Sequence, residues 1–251
     1  MILDKIYIIT LDHSQENYNS ILDRIGVLEL PEPIPYEIIQ GVNGRELFVT
    51  EEGRESFGIK FYENWDTWKV DKGTWWGRGV TTGEAGGICS HIKIWEDMYQ
   101  NGYERILILE DDFEPTGPFD WESLSELDGY DYDIAFLSRI LQSSHDGVVD
   151  YKIGLDNWVK PGYSFQTHCY ILTKSGVTKI VETNLDTLKQ NIIVSDEFLP
   201  ATYTWHPRSD LRGMYNQNMN AVAYIESQCI KQSRFEAINN SLTSPVEGID
   251  Y

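Results

Sequence analysis

The stretch Ile106-Leu107-Ile108-Leu109-Glu110-Asp111-Asp112 runs four branched aliphatic residues directly into three carboxylates. A short apolar run without polar alternation is typical of a strand buried on both faces, and in open α/β sheets ligands bind beyond the carboxyl ends of such strands. Three adjacent negative charges repel one another, so the pattern favours a bound cation, and hard oxygen ligands favour Mg²⁺ or Mn²⁺. The alternative is that the acids end the strand in a solvated turn.

The composition is that of one folded domain. The chain has 251 residues, of which 41% are hydrophobic and 24% charged, so it can bury a full core. Apolar periodicity is lost from Ser233 onward, which predicts a domain over residues 1–235 and a peripheral tail over residues 236–251. The formal net charge of -20 argues against nucleic acid or an anionic membrane as the main partner, because both require clustered Lys and Arg.

The cysteines and the first residues bear on the cellular compartment. Cys89, Cys169 and Cys229 are widely spaced and fit neither a disulfide framework nor a CxxC metal site, so reduced thiols are the simplest account. Residues 1–9 turn polar too early for a signal peptide, and no apolar stretch approaches membrane-spanning length. We therefore expect a soluble cytoplasmic protein without a transmembrane segment.

Strand and helix patterns alternate over the first 180 residues. Helical apolar spacing follows residue 14, residue 82 and residue 174. Apolar runs typical of strands cover residues 6–9, 36–39, 106–109, 133–137 and 166–172. This alternation predicts an α/β fold with a largely parallel central sheet. Residues 49–80 lack periodicity and are rich in aromatic residues, which favours packing of a long loop onto the domain over a lid or a sugar-stacking wall.

A second acidic group is Asp196-Glu197, beside apolar Phe198 and Leu199. Burial near apolar residues would raise the pKa of such a carboxyl group and suit it to general base catalysis. The alternative is a helix that Ser195 caps, with acids in its first turn; the two interpretations are compatible. No dinucleotide fingerprint, Walker loop, GxSxG elbow or HExxH helix is present in the sequence.

Several blocks, in this order, resemble glycosyltransferase family 25, the lipopolysaccharide and procollagen galactosyltransferase group. They are YIITLD (7–12), VNG (42–44), TGEAGGICSH (82–91), ILEDD (108–112), DIAFLSR (133–139), the segment 163–176, and DEFLP (196–200) with His206-Pro207. The last block looks most like the procollagen galactosyltransferase branch. One departure is Gln228, which stands about where some relatives place a histidine that can complete a metal site.

The resemblance implies a single-domain Rossmann-like nucleotide-sugar transferase fold of the GT-A type, with a mostly parallel central sheet. It also implies the residues of the donor site. Mn²⁺ or Mg²⁺ on the diphosphate would be held by Glu110 and Asp112, with Gln228 as a candidate third ligand; alternation along an extended backbone turns Asp111 to the other side, where it is assigned to the donor. The remaining donor-binding residues would be Thr10, Leu11, Asp12, Asn43 and Gly44 for the nucleoside, and Gly83 and Glu84 for the adjoining pocket.

The implied reaction is an inverting transfer of a sugar, galactose first among them, from a UDP-sugar to an acceptor hydroxyl. Asp196 is the first candidate for the general base and Glu197 the second. The acceptor would be hydroxylysine of a collagen-like chain, or a sugar of a lipopolysaccharide or other glycan. Two alternatives stay open: a nucleotide-sugar-binding protein that kept the fold without turnover, and another metal-dependent nucleotide enzyme such as a nucleotidyltransferase.

Overall fold

The computed structural model describes residues 3–30, 33–65, 78–141, 150–165, 167–225 and 230–232. The strands are β1 (Lys5–Thr10), β2 (Tyr36–Gln40), β3 (Arg105–Glu110), β4 (Phe113–Pro115), β5 (Ile134–Phe136), β6 (Ile140–Leu141), β7 (Tyr151–Lys152), β8 (Trp158–Lys160), β9 (Ser164–Phe165), β10 (Cys169–Thr173), β11 (Ala221–Tyr224) and β12 (Ile230–Gln232). The helices are α1 (Gln15–Val27), α2 (Gly44–Leu47), α3 (Glu51–Ser56), α4 (Thr82–Asn101), α5 (Lys174–Thr183), α6 (Leu185–Gln190) and α7 (Ser195–Tyr203), with a 3₁₀ helix at Trp121–Leu127.

Eight of these strands form one central sheet in the order β2-β1-β3-β10-β5-β11-β8-β7. The pairs β2-β1, β1-β3 and β5-β11 are parallel. Strand β10 runs antiparallel to both β3 and β5, and β8 runs antiparallel to β11 and β7. The predicted α/β fold with a central sheet is confirmed. Two consecutive parallel pairs lie at β2-β1-β3, and the acids of residues 110–112 are at the end of β3.

The central strand β3 is buried on both faces, as its apolar run predicts. Ile106 and Ile108 join the core under α4, α5 and α7, whereas Leu107 and Leu109 join the core under α1 and the 3₁₀ helix. All four side chains have no solvent exposure. Two apolar layers therefore hold this strand, and its carboxyl end is delivered to a defined place at the edge of the sheet.

Helix α4 begins and ends where the sequence marks it. Thr81 accepts a hydrogen bond from the Glu84 backbone N–H, and the Glu84 carboxylate accepts one from the Thr81 N–H, which makes a capping box. The helix ends at Gly102, which adopts the left-handed conformation with φ of 68°. These cap residues therefore fix where α4 begins and ends.

Two glycines let α2 pack backbone-to-backbone against α4. A Cβ on Gly44 would lie 1.8 Å from the carbonyl oxygen of Thr82, and a Cβ on Gly86 would lie 2.4 Å from that of Val42. Neither distance is possible for a real side chain, so glycine is required at both positions. This contact ties the loop after β2 to the first turns of α4.

The described part of the aromatic-rich segment packs onto the domain. Trp65 is buried beneath the guanidinium of Arg208, which lies 4.2 Å from its ring centroid, and Phe61 forms a bridge with Ile192. Trp68, Trp75 and Trp76 lie outside the described residues, as do Cys229 and the predicted boundary at residues 235–236. Within the described ranges, no helix combines the length and the apolar character that a membrane crossing requires.

Candidate functional site

A cavity of about 290 Å³ opens where β1, β2 and β3 end, at the parallel part of the sheet. Ligands of open α/β sheets bind at this edge, because the loops that leave neighbouring strands diverge there. The lining comes from these strand ends and from one face of α4. The lining residues are Ile9, Thr10, Leu11, Asp12, Gly41, Val42, Gly83, Gly87, Ser90, His91, Glu110 and Asp111.

Glu110 is held in the cavity wall by groups from two other elements. His91 of α4 donates from Nε2 to Glu110 Oε1 at 3.1 Å, and the Thr167 hydroxyl lies 3.5 Å from the same oxygen. Burial opposes ionisation of Glu110, but the hydrogen bond and charge of His91 outweigh it and hold the pKa of this carboxyl below its usual value. Glu110 is therefore an ionised oxygen donor in the cavity.

His91 is itself braced by aromatic hydrogen-bonding groups. Its Nδ1 lies 2.9 Å from the Tyr170 hydroxyl, which also accepts a hydrogen bond from Trp95 Nε1 at 3.0 Å. A lone histidine on a helix is more often a structural residue than a functional one, so the sequence alone does not mark His91 for a role in the site. Its buried position between Tyr170 and Glu110 shows that it orients a carboxylate of the cavity, and only the fold brings these residues together.

Asp111 lies beside Glu110 in the cavity wall and is oriented by the end of β1. The Thr10 hydroxyl donates to Asp111 Oδ2 at 2.5 Å, and the Arg24 guanidinium donates to the Asp111 carbonyl oxygen at 2.8 Å. Thr10 also accepts from the Asp12 N–H at 3.0 Å, so the loops after β1 and β3 form one hydrogen-bonded unit. Thr10, Asp12 and Asp111, which the resemblance assigns to the donor site, therefore lie together in the structure.

Alternation along an extended strand predicted that Glu110 and Asp112 share one side of the backbone, and the structure corrects this prediction. Strand β3 ends at Glu110, and residues 111 and 112 form a turn, so the alternation of an extended strand stops there. Glu110 and Asp111 both line the cavity. Asp112 is only 7% exposed and, among the described residues, is not part of this lining.

Asp196 lies close to Glu110 on the other side of Thr167. Its Oδ1 accepts hydrogen bonds from the Thr167 N–H at 2.9 Å and the Thr167 hydroxyl at 3.1 Å. Burial, followed by the negative charge of Glu110, raises the pKa of Asp196 to about 7, although the Thr167 hydrogen bonds act in the opposite direction. A carboxyl group with such a pKa can accept a proton near neutral pH.

Glu197, the neighbouring acid, points into the core instead. Its Oε2 accepts hydrogen bonds from the Tyr163 hydroxyl at 2.6 Å and from His206 Nε2 at 2.7 Å. His206 Nδ1 accepts from the Arg208 backbone N–H at 3.1 Å, so the proton of the neutral ring is on Nε2. Glu197 has no solvent exposure and serves as a buried anchor for this network. The helix prediction holds here, but its cap position is Val194, and Ser195 is the first helical residue.

The other predicted donor residues divide into two groups. Thr10, Leu11, Asp12 and Gly83 line the cavity, as expected. Gly44 is buried against α4, and Glu84 is engaged by the capping box and by Arg78, which donates to both of its carboxylate oxygens at 2.9 and 2.6 Å. In the described structure, neither Glu84 nor Asn43-Gly44 contributes to the lining, and Gly41 and Val42 take the place predicted for residues 43 and 44.

The donor set suits a cation that is shared with a ligand. Within the described ranges, no group of three His, Cys, Asp or Glu side chains stands ready to hold a metal ion, and Gln228 lies outside them. A divalent ion bound through one or two carboxylates and substrate phosphates needs no such group. Glu110 and Asp111, two adjacent oxygen donors in one cavity, fit that kind of site.

Comparison with known proteins gives a consistent family. Residues 3–123 match the model of glycosyltransferase family 25, described as a lipopolysaccharide biosynthesis protein family. Over 87% of this chain and 34% of the relative, a glycosyltransferase 25 family member of Aedes aegypti is 29% identical. Procollagen galactosyltransferase 1-B of Xenopus laevis is 28% identical over 84% of this chain and 33% of its own length.

Further matches are a relative described as probably inactive and a solved galactosyltransferase structure. A probable inactive glycosyltransferase 25 family member 3 of Bos taurus is 26% identical over 84% of this chain and 34% of its own length. The solved galactosyltransferase LgtC, in complex with donor and acceptor sugar analogues, aligns over 97% of this chain and 98% of its own with 10% identity and a TM-score of 0.38. This chain spans about a third of the length of the curated relatives that it matches. The family match over residues 3–123 and these relatives support glycosyltransferase family 25 as the family of this chain.

Proposed function

We propose that this protein is an inverting, metal-assisted glycosyltransferase that moves a sugar, galactose first among the candidates, from a UDP-sugar to an acceptor hydroxyl. The observation that carries the proposal is one juxtaposition: Asp196, with a pKa of about 7, and the ionised Glu110 of the cavity wall both contact Thr167, although Asp196 itself does not line the cavity. One carboxylate is suited to hold a cation, and the other to take a proton. The family match supports the coarser assignment, a glycosyltransferase.

The donor would lie in the cavity at the ends of β1, β2 and β3. Thr10, Leu11 and Asp12, with Gly41 and Val42, would contact the nucleoside, because they line the same cavity as Glu110 and Asp111. A divalent ion, Mn²⁺ or Mg²⁺, would be held by Glu110 and Asp111 and would offset the negative charge that develops on the departing nucleoside diphosphate. His91 and Thr10 would keep the two carboxylates oriented toward it.

Asp196 would act as the general base. As the acceptor hydroxyl oxygen bonds to the anomeric carbon, its proton passes to the Asp196 carboxylate. The bond from the anomeric carbon to the phosphate oxygen breaks, and its electron pair leaves with UDP. Attack from the face opposite the leaving group inverts the anomeric configuration. Thr167 holds Asp196 Oδ1 through two hydrogen bonds and so sets the direction of the carboxylate.

The acceptor is proposed from the relatives alone. One candidate acceptor is hydroxylysine in collagen-like chains, because some relatives are named procollagen galactosyltransferase. The other is a sugar of lipopolysaccharide or another glycan, because of the family description. Both present a hydroxyl group to the base. Acceptor panels containing a hydroxylysine peptide and simple glycosides would separate the two.

A second candidate is a nucleotide-sugar-binding protein without turnover, which the similarity to a probable inactive relative favours. The test incubates the protein with a panel of UDP-sugars, with and without Mn²⁺, and measures released UDP. We expect Mn²⁺-dependent UDP release that Asp196→Asn lowers. Calorimetric UDP binding without any release would favour the binding protein, and release of pyrophosphate would favour a nucleotidyltransferase.

A further inference from the structure

The cavity is strongly acidic for a site that would take a diphosphate. Asp12, Glu110 and Asp111 line it, and the lining contains no Lys or Arg among the described residues. The whole chain carries a formal net charge of -20, so the background field also repels an anion. One divalent ion would offset part of this charge. A further cationic group at the rim would therefore strengthen the binding of a diphosphate here.

Arg45 is placed at this rim by the glycine contact between α2 and α4. Gly83 forms part of the cavity wall, and a Cβ on Gly83 would lie 3.4 Å from Arg45 Nε and 3.8 Å from Arg45 Cγ. The arginine side chain therefore runs across the face of Gly83. The close approach of Gly44 to Thr82 fixes the backbone from which it extends.

The guanidinium of Arg45 is also available, unlike those of its neighbours. Arg78 is engaged by both oxygens of Glu84, and Arg24 is engaged by the Asp111 carbonyl oxygen. Arg45 is exposed, and within the described ranges it forms no ion pair. A planar guanidinium presents several N–H donors in a geometry that matches phosphate oxygens.

We infer that Arg45 binds the diphosphate of the donor nucleotide at the cavity rim, beside Gly83. This inference rests on the proposed function and adds a recognition residue to it. The residue makes the affinity for UDP exceed that for uridine, and it does so without the metal as well as with it.

The test is calorimetric binding of uridine and of UDP, each with and without Mn²⁺, to wild-type protein and to Arg45→Gln. We expect Arg45→Gln to bind UDP about tenfold more weakly in both conditions and to bind uridine unchanged, as loss of a charge-assisted hydrogen bond predicts. Arg45→Lys, which keeps the charge but not the planar fork, should show a smaller loss. Lys152→Gln is the control, because it removes one exposed charge at β7, the opposite edge of the sheet.

Three results would overturn the inference. UDP binding by Arg45→Gln that equals that of wild type would remove Arg45 from the site while leaving the proposed function intact. An equal loss of uridine and UDP binding would assign Arg45 to the nucleoside or to the shape of the cavity instead. Failure of the wild-type protein to bind UDP under any condition would overturn the proposed function and this inference together.

Discussion

The acids at the end of β3 and the acids at the start of α7 are both adjacent pairs, yet the fold treats them differently. Glu110 and Asp111 follow a strand into a turn, and both line the cavity. Asp196 and Glu197 lie in the first turn of a helix, where successive side chains diverge by about 100°. Asp196 therefore meets Thr167 near the cavity, whereas Glu197 meets Tyr163 and His206 in the core. Backbone geometry, more than residue type, decides which acids can serve chemistry.

The largest expected effect comes from Asp196→Asn. An amide cannot take the acceptor proton, so we expect UDP-sugar turnover to fall by on the order of 100-fold or more, with UDP affinity unchanged. The matched control is Asp186→Asn, because Asp186 is the second residue of α6 as Asp196 is of α7, and it is exposed. Wild-type turnover in Asp196→Asn would remove the base assignment.

Glu197→Ala should act on the fold and not on the chemistry. It leaves the Tyr163 hydroxyl and His206 Nε2 without their shared acceptor in a site with no solvent exposure. We expect the free energy of unfolding to fall by about 3 kcal/mol, measured by denaturant titration. Turnover per folded molecule should change far less than in Asp196→Asn. A stable Glu197→Ala protein with 100-fold lower turnover would reverse the roles of the two acids.

Asp111→Asn and Asp112→Asn test which acid joins Glu110 at the metal. Strand alternation predicts Asp112, whereas the observed turn brings Asp111 to the cavity. Asp111 lines the cavity and Asp112 does not, so we expect Asp111→Asn to weaken Mn²⁺-dependent UDP binding about tenfold and Asp112→Asn to weaken it less. Thermal unfolding of both variants checks that the buried Asp112 is not acting through stability. A larger binding loss in Asp112→Asn would restore the assignment made from strand alternation.

The smallest effect concerns pH. With its pKa at about 7, Asp196 is protonated and inactive as a base below that pH, so kcat/KM should rise with pH and level off above about 8. Thr167→Val removes a hydroxyl that lowers this pKa but keeps the backbone donor, so the rise should move to higher pH by a fraction of a unit. An identical pH profile in Thr167→Val would show that the Thr167 hydroxyl does not influence the pKa of Asp196.

The same shift predicts how stability depends on pH. Asp196 has a folded-state pKa above its unfolded value of 3.8, so its contribution is fully present below pH 4 and is lost as the pH rises through about 7. Asp196→Asn should therefore be more stable than wild type at pH 8, by a few degrees in Tm, and gain nothing at pH 4. An equal difference in Tm at both pH values would show that Asp196 keeps its ordinary pKa.

The sequence determined the α/β class, the strand that carries the acids, and the residues after β1, because apolar runs and helical spacing reflect local geometry and burial. It could not show that β10 runs antiparallel between β3 and β5, since pairing direction depends on residues far apart in the chain. Nor could it show that His91 and Tyr170 support Glu110, or that Gly44 serves helix contact. These roles depend on which side chains meet, and only the tertiary structure decides that, because burial, charge and hydrogen bonding between distant segments arise when the chain packs.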